Sequence, residues 1–167
     1  MINVKRYYLE LKNFDLGSKL NIPNNLTITQ DESSNFEINK FFYKQVGIDH
    51  YWRDRLIWSD KEWNKYVQNK YLETWVMRQA GDMIGFYEME FHSKANEIEL
   101  INMGILKEYR GKKLGSNLLK HFINTASQKK VKRSWVHTCS LDHKHALYNY
   151  KSRGFKIFKE EEVSFIA

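Results

Sequence analysis

The fold of this chain is decided by the stretch Ile105-Leu106-Lys107-Glu108-Tyr109-Arg110-Gly111-Lys112-Lys113-Leu114-Gly115-Ser116. Strand-like alternation precedes it, and apolar residues spaced three to five apart follow it, so it joins a strand to the start of a helix. Converging backbone N–H groups, the helix dipole and two lysines make such a turn suited to binding an anion. Gly111 and Gly115 would let a phosphate approach the backbone closely. An ordinary solvated strand-to-helix loop can carry the same residues, so this stretch alone leaves both interpretations open.

Working outward, the remaining patterns predict strands that first pair as a meander and then alternate with helices. Two segments, Ser34–Glu37 and Ser59–Glu62, have the form of a capping box and each predicts a helix start. Gly81-Asp82 predicts the turn of a hairpin. The predicted strands cover 4–11, 26–29, 74–77, 83–91, 97–106, 134–141 and 155–165, and the main later helices cover 114–130 and 144–152. This order predicts an α+β sandwich around one mixed sheet.

Length and composition bound the class of protein. A chain of 167 residues with 42% hydrophobic and 28% charged residues predicts one globular domain over 1–167 and excludes wholesale disorder. A net charge of +7 favours a polyanionic partner, which includes nucleic acid, an anionic membrane and a phosphorylated small molecule. One cysteine excludes an intramolecular disulfide and suits a reducing compartment. No long apolar run and no secretory h-region are present, so we expect a cytoplasmic protein without membrane contact.

A second stretch, Asp142 to Phe155, stands about thirty residues after the first and completes a pattern. Together the two stretches resemble the GNAT superfamily of N-acyltransferases, which use acetyl-coenzyme A. The first family signature, Arg/Gln-x-x-Gly-x-Gly/Ala after a strand, is matched by Arg110, Lys113 and Gly115. The second signature, Ala…Leu-Tyr-x-x-x-Gly-Phe, is matched by Ala146, Tyr150, Gly154 and Phe155, with Asn149 in the place of Leu. The resemblance covers roughly residues 71–160, and three other positions depart from it: Lys113 replaces a glycine, Lys107 a frequent proline and His143 a frequent asparagine.

The resemblance implies a three-layer sandwich, with one mixed central sheet and helices on both faces. It also implies acetyl-coenzyme A as co-substrate, with its pantetheine arm along the 103–105 backbone and its pyrophosphate on the loop at 111–116. Tyr150 would give a proton to the departing thiolate. The implied cofactor-binding residues are Met103, Gly104, Ile105, Arg110, Gly111, Lys112, Lys113, Leu114, Gly115, Ser116, His143 and Tyr150.

A general base is predicted less directly. Glu99 lies six residues before Ile105, which by period two would put both on one strand face. Some members of the family carry a base glutamate at this place, so Glu99 is our candidate. Glu97 shares its strand face, and Glu88 and Glu90 share a face of the neighbouring strand. Two acidic strands would attract a cationic amine, although a solvated strand face would have the same residues.

Other side chains invite alternative chemistry. His137, Cys139, His143 and His145 lack the paired spacing typical of zinc ligands, so we expect no metal. A Cys–His nucleophile is not excluded by spacing, but Cys139 is interpreted as a small hydrophobe in a half-buried strand. The aromatic region at 43–63 contains Tyr51, Trp52, Trp58 and Trp63 among arginines. It predicts either an acceptor-site wall or helix packing, and packing is favoured for Trp58 and Trp63.

The function expected from this sequence is transfer of an acetyl group from acetyl-coenzyme A to a primary amine by direct attack in a ternary complex. The acceptor is a small molecule or a protein amine. One alternative is a catalytically silent acyl-coenzyme A sensor with the same fold. A basic nucleic-acid-binding domain is disfavoured, because several lysines cluster near the turn where the coenzyme phosphates would need them. The oligomeric state is left open, a homodimer included.

Overall fold

A computed structural model describes residues 1–15 and 20–165 of the chain. The elements predicted from the sequence are present, with small differences at their ends. A short 3₁₀ turn, Lys107–Tyr109, lies before the longest helix. In chain order the elements are β1 (Ile2–Leu11), β2 (Leu26–Gln30), α1 (Phe36–Gly47), α2 (Asp60–Val67), β3 (Leu72–Gln79), β4 (Asp82–His92), β5 (Glu97–Ile105), α3 (Leu114–Gln128), β6 (Arg133–Cys139), α4 (Ala146–Ser152) and β7 (Lys156–Phe165).

The strands form one seven-stranded sheet in the order β2-β3-β4-β5-β6-β1-β7. β5 and β6 run parallel, and every other neighbouring pair is antiparallel. The meander predicted for the middle of the chain is therefore correct. The position of the first strand could not be predicted from its neighbours in the sequence. β1 lies between β6 and β7, so strands from the two ends of the chain pair with each other.

Helices cover both faces of this sheet, because neighbouring residues of a strand point to opposite faces. On one face α3 packs into the main core, whose buried members include Met77, Tyr87, Leu118 and Phe122. On the other face α1 packs in a smaller cluster of Phe42, Val46, Val76 and Phe86. The adjacent residues Val76 and Met77 of β3 are therefore buried on opposite faces of the sheet, Val76 against α1 and Met77 in the α3-side core. The three-layer mixed fold expected from the sequence is confirmed.

Of the two predicted capping boxes, the structure contains the one at Ser59 but not the one at Ser34. Ser59 caps α2 and shares reciprocal hydrogen bonds with Glu62, as predicted. The prediction at Ser34 is wrong: α1 is capped by Asn35, whose side-chain oxygen accepts a hydrogen bond from the Glu37 N–H at 3.0 Å. Ser34 instead has a φ of 55° and turns the chain before the helix. Asn is as good an N-cap as Ser, so the helix begins one residue later than the capping-box pattern predicted.

A β-bulge interrupts β5 at Ile101. Glu88 of β4 pairs with Asn102, whereas the next residue of β4 pairs with Leu100, so Ile101 has no opposite residue. The extra residue reverses the alternation of side chains along the strand. Glu99 therefore lies on the α1 face beside His92, whereas Ile105 is buried in the α3-side core. The expectation that Glu99 and Ile105 share a face is wrong for this reason.

No helix within residues 1–15 and 20–165 has both the length and the hydropathy needed to cross a membrane.

Candidate functional site

The two parallel strands separate halfway along their length. Their pairing runs from Glu97 with Arg133 to Leu100 with Val136 and then ends, although both strands continue. The bulge at Ile101 lies just where they separate. A cavity of about 1230 Å³ occupies the gap, lined on one side by the end of β5 and on the other by the end of β6. The end of β5 thus presents backbone groups without a neighbouring strand on its β6 side.

The N-terminus of α3 opens onto one end of this cavity. The N-cap residues of α1 and α2 make side-chain capping hydrogen bonds. The N-cap residue of α3, Lys113, makes none. No acidic residue lies in the first turn of α3. The amides of this turn therefore lack the acceptors that usually satisfy a helix start. The turn is suited to an external anion.

The backbone of this turn has the conformation of an anion nest. Gly111 has a φ of 85° and Lys113 a φ of 61°. Lys113 therefore takes a left-handed conformation that costs an L-residue roughly 1–2 kcal/mol, at the place where the family signature has glycine. No described atom lies within 4 Å of a Cβ built on Gly111 or on Gly115. Open space above both glycines would admit a phosphate, and the Lys113 side chain adds a positive charge there.

Arg110 supplies a further donor beside the turn. Its Nε donates to the Ile105 carbonyl oxygen at 2.9 Å, and its Nη1 donates to Asp49 at 3.0 Å. The same guanidinium lowers the pKa of Asp49. Its Nη2 is buried and has no hydrogen-bond partner within the described part of the chain. A buried N–H without an acceptor is costly, so this atom points to a missing anionic ligand.

Tyr150 lies on α4 and lines the same cavity. Its side chain is 7% exposed and packs edge-on against Phe155, with ring centroids 5.6 Å apart. Burial, together with the charge of Asp142, raises the pKa of this phenol above its ordinary value. Tyr150 therefore keeps its proton at neutral pH. The structure thus brings the predicted acid into the same cavity as the predicted phosphate turn.

His143 lines the cavity close to the same end. Its Nδ1 accepts a hydrogen bond from the His145 backbone N–H at 3.2 Å, and its ring lies 5.9 Å from that of His50. Burial and the neighbouring charges of His145 and Arg110 lower the pKa of His143. A neutral imidazole at this place retains an N–H donor, so the predicted hydrogen-bonding role is chemically available to it.

Glu99 is not among the residues that line the cavity. Its carboxylate contacts His92, with Oε1 and Nε2 3.0 Å apart, and it pairs across the strands with Glu90. Burial raises the pKa of Glu99. Of the described side chains, Glu90, His92 and Glu99 form one group whose potential metal-ligand atoms all lie within 4.8 Å of one another. The predicted base is therefore set apart from the predicted acid and cofactor site.

A buried polar network that sequence analysis missed ties the α1 side of the sheet together. Glu88 is fully buried and accepts hydrogen bonds from Asn39, Arg55, Tyr66 and Asn102 at distances of 2.6–3.2 Å. Arg55 neutralises its charge, with N and O atoms 3.2 Å apart. Of this network, Arg55 and Asn102 also line the cavity. Glu88 is therefore neutralised within the fold and does not supply a free negative charge to an acceptor pocket.

The aromatic region divides as the sequence suggested. Trp63 is 1% exposed, and Trp58 packs against it with ring centroids 4.9 Å apart. Tyr51 and Trp52 instead line the cavity. The Trp52 indole N–H donates to Asp142 at 3.2 Å, which joins this segment to the loop after β6. Packing is the role of Trp58 and Trp63, whereas Tyr51 and Trp52 form part of the cavity wall.

His137 and Cys139 lie two residues apart on β6, and both line the cavity. Burial, with Asp142 as a further cause, raises the pKa of the Cys139 thiol. A thiol that resists ionisation is a poor nucleophile, which agrees with its interpretation as a small hydrophobe. The side chain of His137 is exposed to the cavity. Sequence analysis gave His137 no role in acetyl transfer.

Comparisons with known proteins agree with this fold. The model of the acetyltransferase (GNAT) family matches residues 33–155. A GCN5-related N-acetyltransferase from Sphaerobacter thermophilus is similar with a TM-score of 0.71 and 13% identity, over 94% of this chain and 49% of that one. An aminoglycoside acetyltransferase from an uncultured soil metagenomic sample has a TM-score of 0.65 and 12% identity, over 80% and 90% of the two chains. The ribosomal-protein-S18-alanine N-acetyltransferase from Escherichia coli has a TM-score of 0.62 and 21% identity, over 78% and 77%.

In this fold the two parallel strands separate beside the N-terminus of α3, which has no side-chain cap. The fold is similar to that of these acetyltransferases. The family match covers most of the chain and contains both sequence signatures, so this chain belongs to the acetyltransferase (GNAT) family. The chain spans about half the length of the Sphaerobacter protein, at 49%. The sequence search of curated proteins finds no match.

Proposed function

We propose that this protein transfers an acetyl group from acetyl-coenzyme A to a primary amine by direct attack in a ternary complex. The observation that carries the proposal is the uncapped N-terminus of α3, which opens onto the gap between β5 and β6. One end of that gap suits a phosphate and its middle offers an unpaired strand edge. The buried phenol of Tyr150 lines the same gap. These are the parts that thioester aminolysis requires.

Coenzyme A fits the residues at this end of the cavity. Its pyrophosphate would take the amides of the first turn of α3, in the open space over Gly111 and Gly115. The orphaned Nη2 of Arg110 would donate to a phosphate oxygen, and Lys112 and Lys113 add positive charge. The pantetheine amides would bond the backbone of 103–105, which lacks a strand neighbour on that side. His143 would donate to the same arm.

Tyr150 would serve as the general acid. When the amine has attacked and the carbon–sulfur bond breaks, the thiolate needs a proton. The raised pKa of Tyr150 keeps the phenol protonated at neutral pH, so the proton is present when the thiolate forms. Glu99 remains the base predicted from the sequence, although its carboxylate does not line the cavity. It would have to act through water.

The acceptor is proposed only as a primary amine. Among proteins of similar structure, one is an aminoglycoside acetyltransferase and another acts on an alanine of ribosomal protein S18. Small-molecule and protein amines are thus both represented in this fold. A single domain over 1–167 and a cytoplasmic location stay predictions, and the oligomeric state stays open, a homodimer included. A coenzyme sensor without turnover is the alternative that the test below must separate.

The test combines a binding measurement with a turnover measurement. Calorimetry with acetyl-coenzyme A should show binding to the wild type, and thiol release with a panel of amines should show turnover. Gly115→Glu should abolish both, because it places bulk and negative charge in the cradle. Gln128→Glu, at the far end of the same helix, is the matched control and should bind normally. Binding without turnover for every amine would favour the sensor, and unchanged binding by Gly115→Glu would refute the phosphate site.

A further inference from the structure

The cavity contains two carboxylates among its described lining residues, and neither is well suited to remove a proton. Asp142 accepts hydrogen bonds from the Trp52 indole at 3.2 Å, the Thr138 hydroxyl at 2.5 Å and the Cys139 backbone N–H at 3.0 Å. Both carboxylate oxygens of Asp142 are therefore already engaged by donors of the fold. Asp54 is exposed and accepts a hydrogen bond from the Tyr43 hydroxyl at 2.6 Å. A solvated carboxylate is a weak base at neutral pH.

His137 lines the same cavity, at the point where β5 and β6 separate. It is the first residue of β6 after the last paired residue, Val136, so it stands where the two parallel strands begin to separate. Its side chain is exposed to the cavity, and its ring lies 5.6 Å from that of Tyr8. Neither ring nitrogen has a hydrogen-bond partner among the described side chains and backbone. Both nitrogens are therefore free to contact a ligand in the gap.

The charges around His137 leave it neutral at neutral pH. Partial desolvation by the cavity walls lowers its pKa below the ordinary value, and Arg6 lowers it further. Three carboxylates oppose this shift without reversing it. The groups that face His137 are Arg6 and Tyr8 of β1, Asp54 between α1 and α2, Asp142 after β6, and Glu161 of β7. A neutral imidazole has a lone pair that can accept a proton.

The other histidines of the cavity belong to its phosphate end. His50 and His143 lie beside each other, and Arg110 helps to lower the pKa of both. Nδ1 of His143 is already engaged by the backbone of His145. Arg110 bonds the carbonyl of Ile105 at the start of the phosphate turn. These rings therefore lie beside the proposed phosphate site, whereas His137 lies on β6 at the point where the two parallel strands separate.

We infer that His137 is the general base that takes a proton from the acceptor amine, an assignment that rests on the proposed acetyl transfer. An ammonium R–NH₃⁺ gives one proton to His137, and the neutral nitrogen then attacks the thioester carbon. The carbon–nitrogen bond forms, the carbon–sulfur bond breaks, and Tyr150 gives its proton to the thiolate. The second proton of nitrogen returns to the phenolate through water. The imidazolium releases its proton to solvent, so one ammonium ion R–NH₃⁺ and one thioester yield an amide, a thiol and one proton.

The test is the pH dependence of kcat at saturating amine and acetyl-coenzyme A in His137→Gln. Wild-type kcat should fall only on the acidic side of the ordinary histidine pKa of about 6.5, because the lowered pKa of His137 delays protonation of its imidazole to lower pH. The variant should lose about 10²–10⁴ in kcat and lose this acidic limb, with calorimetric affinity for acetyl-coenzyme A unchanged. Added imidazole should restore part of its activity. Cys139→Ser, two residues along the same strand and in the same cavity, is the matched control and should keep the limb.

The outcomes separate this assignment from the proposed function. A wild type that binds acetyl-coenzyme A but acetylates no amine overturns the proposed function itself. An active wild type whose His137→Gln variant keeps kcat and the acidic limb overturns His137 alone. Glu99→Gln, measured in the same series, should retain the limb. If Glu99→Gln removes it and His137→Gln does not, the base is Glu99 and this inference is wrong.

Discussion

A single oxygen atom distinguishes chemistry from packing at Tyr150. Tyr150→Phe keeps the ring that packs on Phe155 and removes the phenolic proton. If the phenol protonates the thiolate, kcat should fall by roughly 10²–10⁴ while affinity for acetyl-coenzyme A changes little. Because burial raises the pKa of Tyr150 above its ordinary value, wild-type kcat should not decline before about pH 10. Steady-state kinetics across the alkaline range measure both effects.

Tyr148 offers the control for this substitution. It lies on the same helix, and its side chain is 72% exposed. Tyr148→Phe should leave kcat and the alkaline range unchanged. A Tyr150→Phe enzyme with near-full kcat would assign the proton to water or to the ammonium product.

At this scale the sequence predicted the residues that lie on contiguous motifs. The family resemblance located Tyr150, the anion-binding pattern located the turn around Gly111, and the structure brings both to one cavity. His137 was not identified, because its role depends on where two strands part and no local pattern encodes that. Glu99 was placed by strand periodicity, which fails across a bulge. Contacts between side chains of different strands can be identified only from the structure.

At the scale of elements, the close approach of α1 to β5 depends on Gly104. A Cβ built at this position would lie 2.3 Å from Cγ1 of Val46, which is far inside contact distance. Gly104→Ala should therefore push the helix away from the strand and lower the free energy of unfolding by about 1–3 kcal/mol. Urea denaturation would measure this loss. Gly115→Ala, with no described atom within 4 Å of the added Cβ, is the control and should not destabilise.

Val46→Ala provides the second arm of the same experiment. Alone it should destabilise by leaving a small cavity. Combined with Gly104→Ala it should restore part of the lost stability, because the removed methyl groups are those that clash. Additive losses in the double variant would show that the contact does not limit the approach of α1.

Local sequence patterns predicted where helices and strands occur better than which of their residues face each side of the sheet. The capping box at Ser59 marked the start of α2 correctly. At α1 the adjacent Ser34 and Asn35 compete for the same role, and the outcome depends on backbone geometry that the sequence does not display. The bulge at Ile101 has no glycine or proline to signal it. It nevertheless determines which residues of β5 face α1 and which face α3.

At the scale of the whole molecule, β1 joins the last strand, β7, to the rest of the sheet. It lies between β6 and β7, and β7 has no other neighbour among the described strands. Leu9 and Leu11 of β1 are buried in the main core at 0% and 2% exposure. Yet the family model matches only from residue 33. Contiguous pairing rules predicted the meander, but they gave no reason to place the first strand beside the last.

The placement of β1 can be tested by comparing the full chain with a chain that begins at residue 33. The shortened chain lacks β1, which pairs with both β6 and β7, and also the edge strand β2, so it should show no cooperative unfolding transition by circular dichroism. In the full chain Leu9→Ala should cost about 2–5 kcal/mol of unfolding free energy. Lys5→Ala should stay within about 0.5 kcal/mol, because its ion pair with Glu160 lies at the surface. A shortened chain that unfolds cooperatively, at the same midpoint as the full chain, would show that the region matched by the family model folds by itself and that β1 is dispensable.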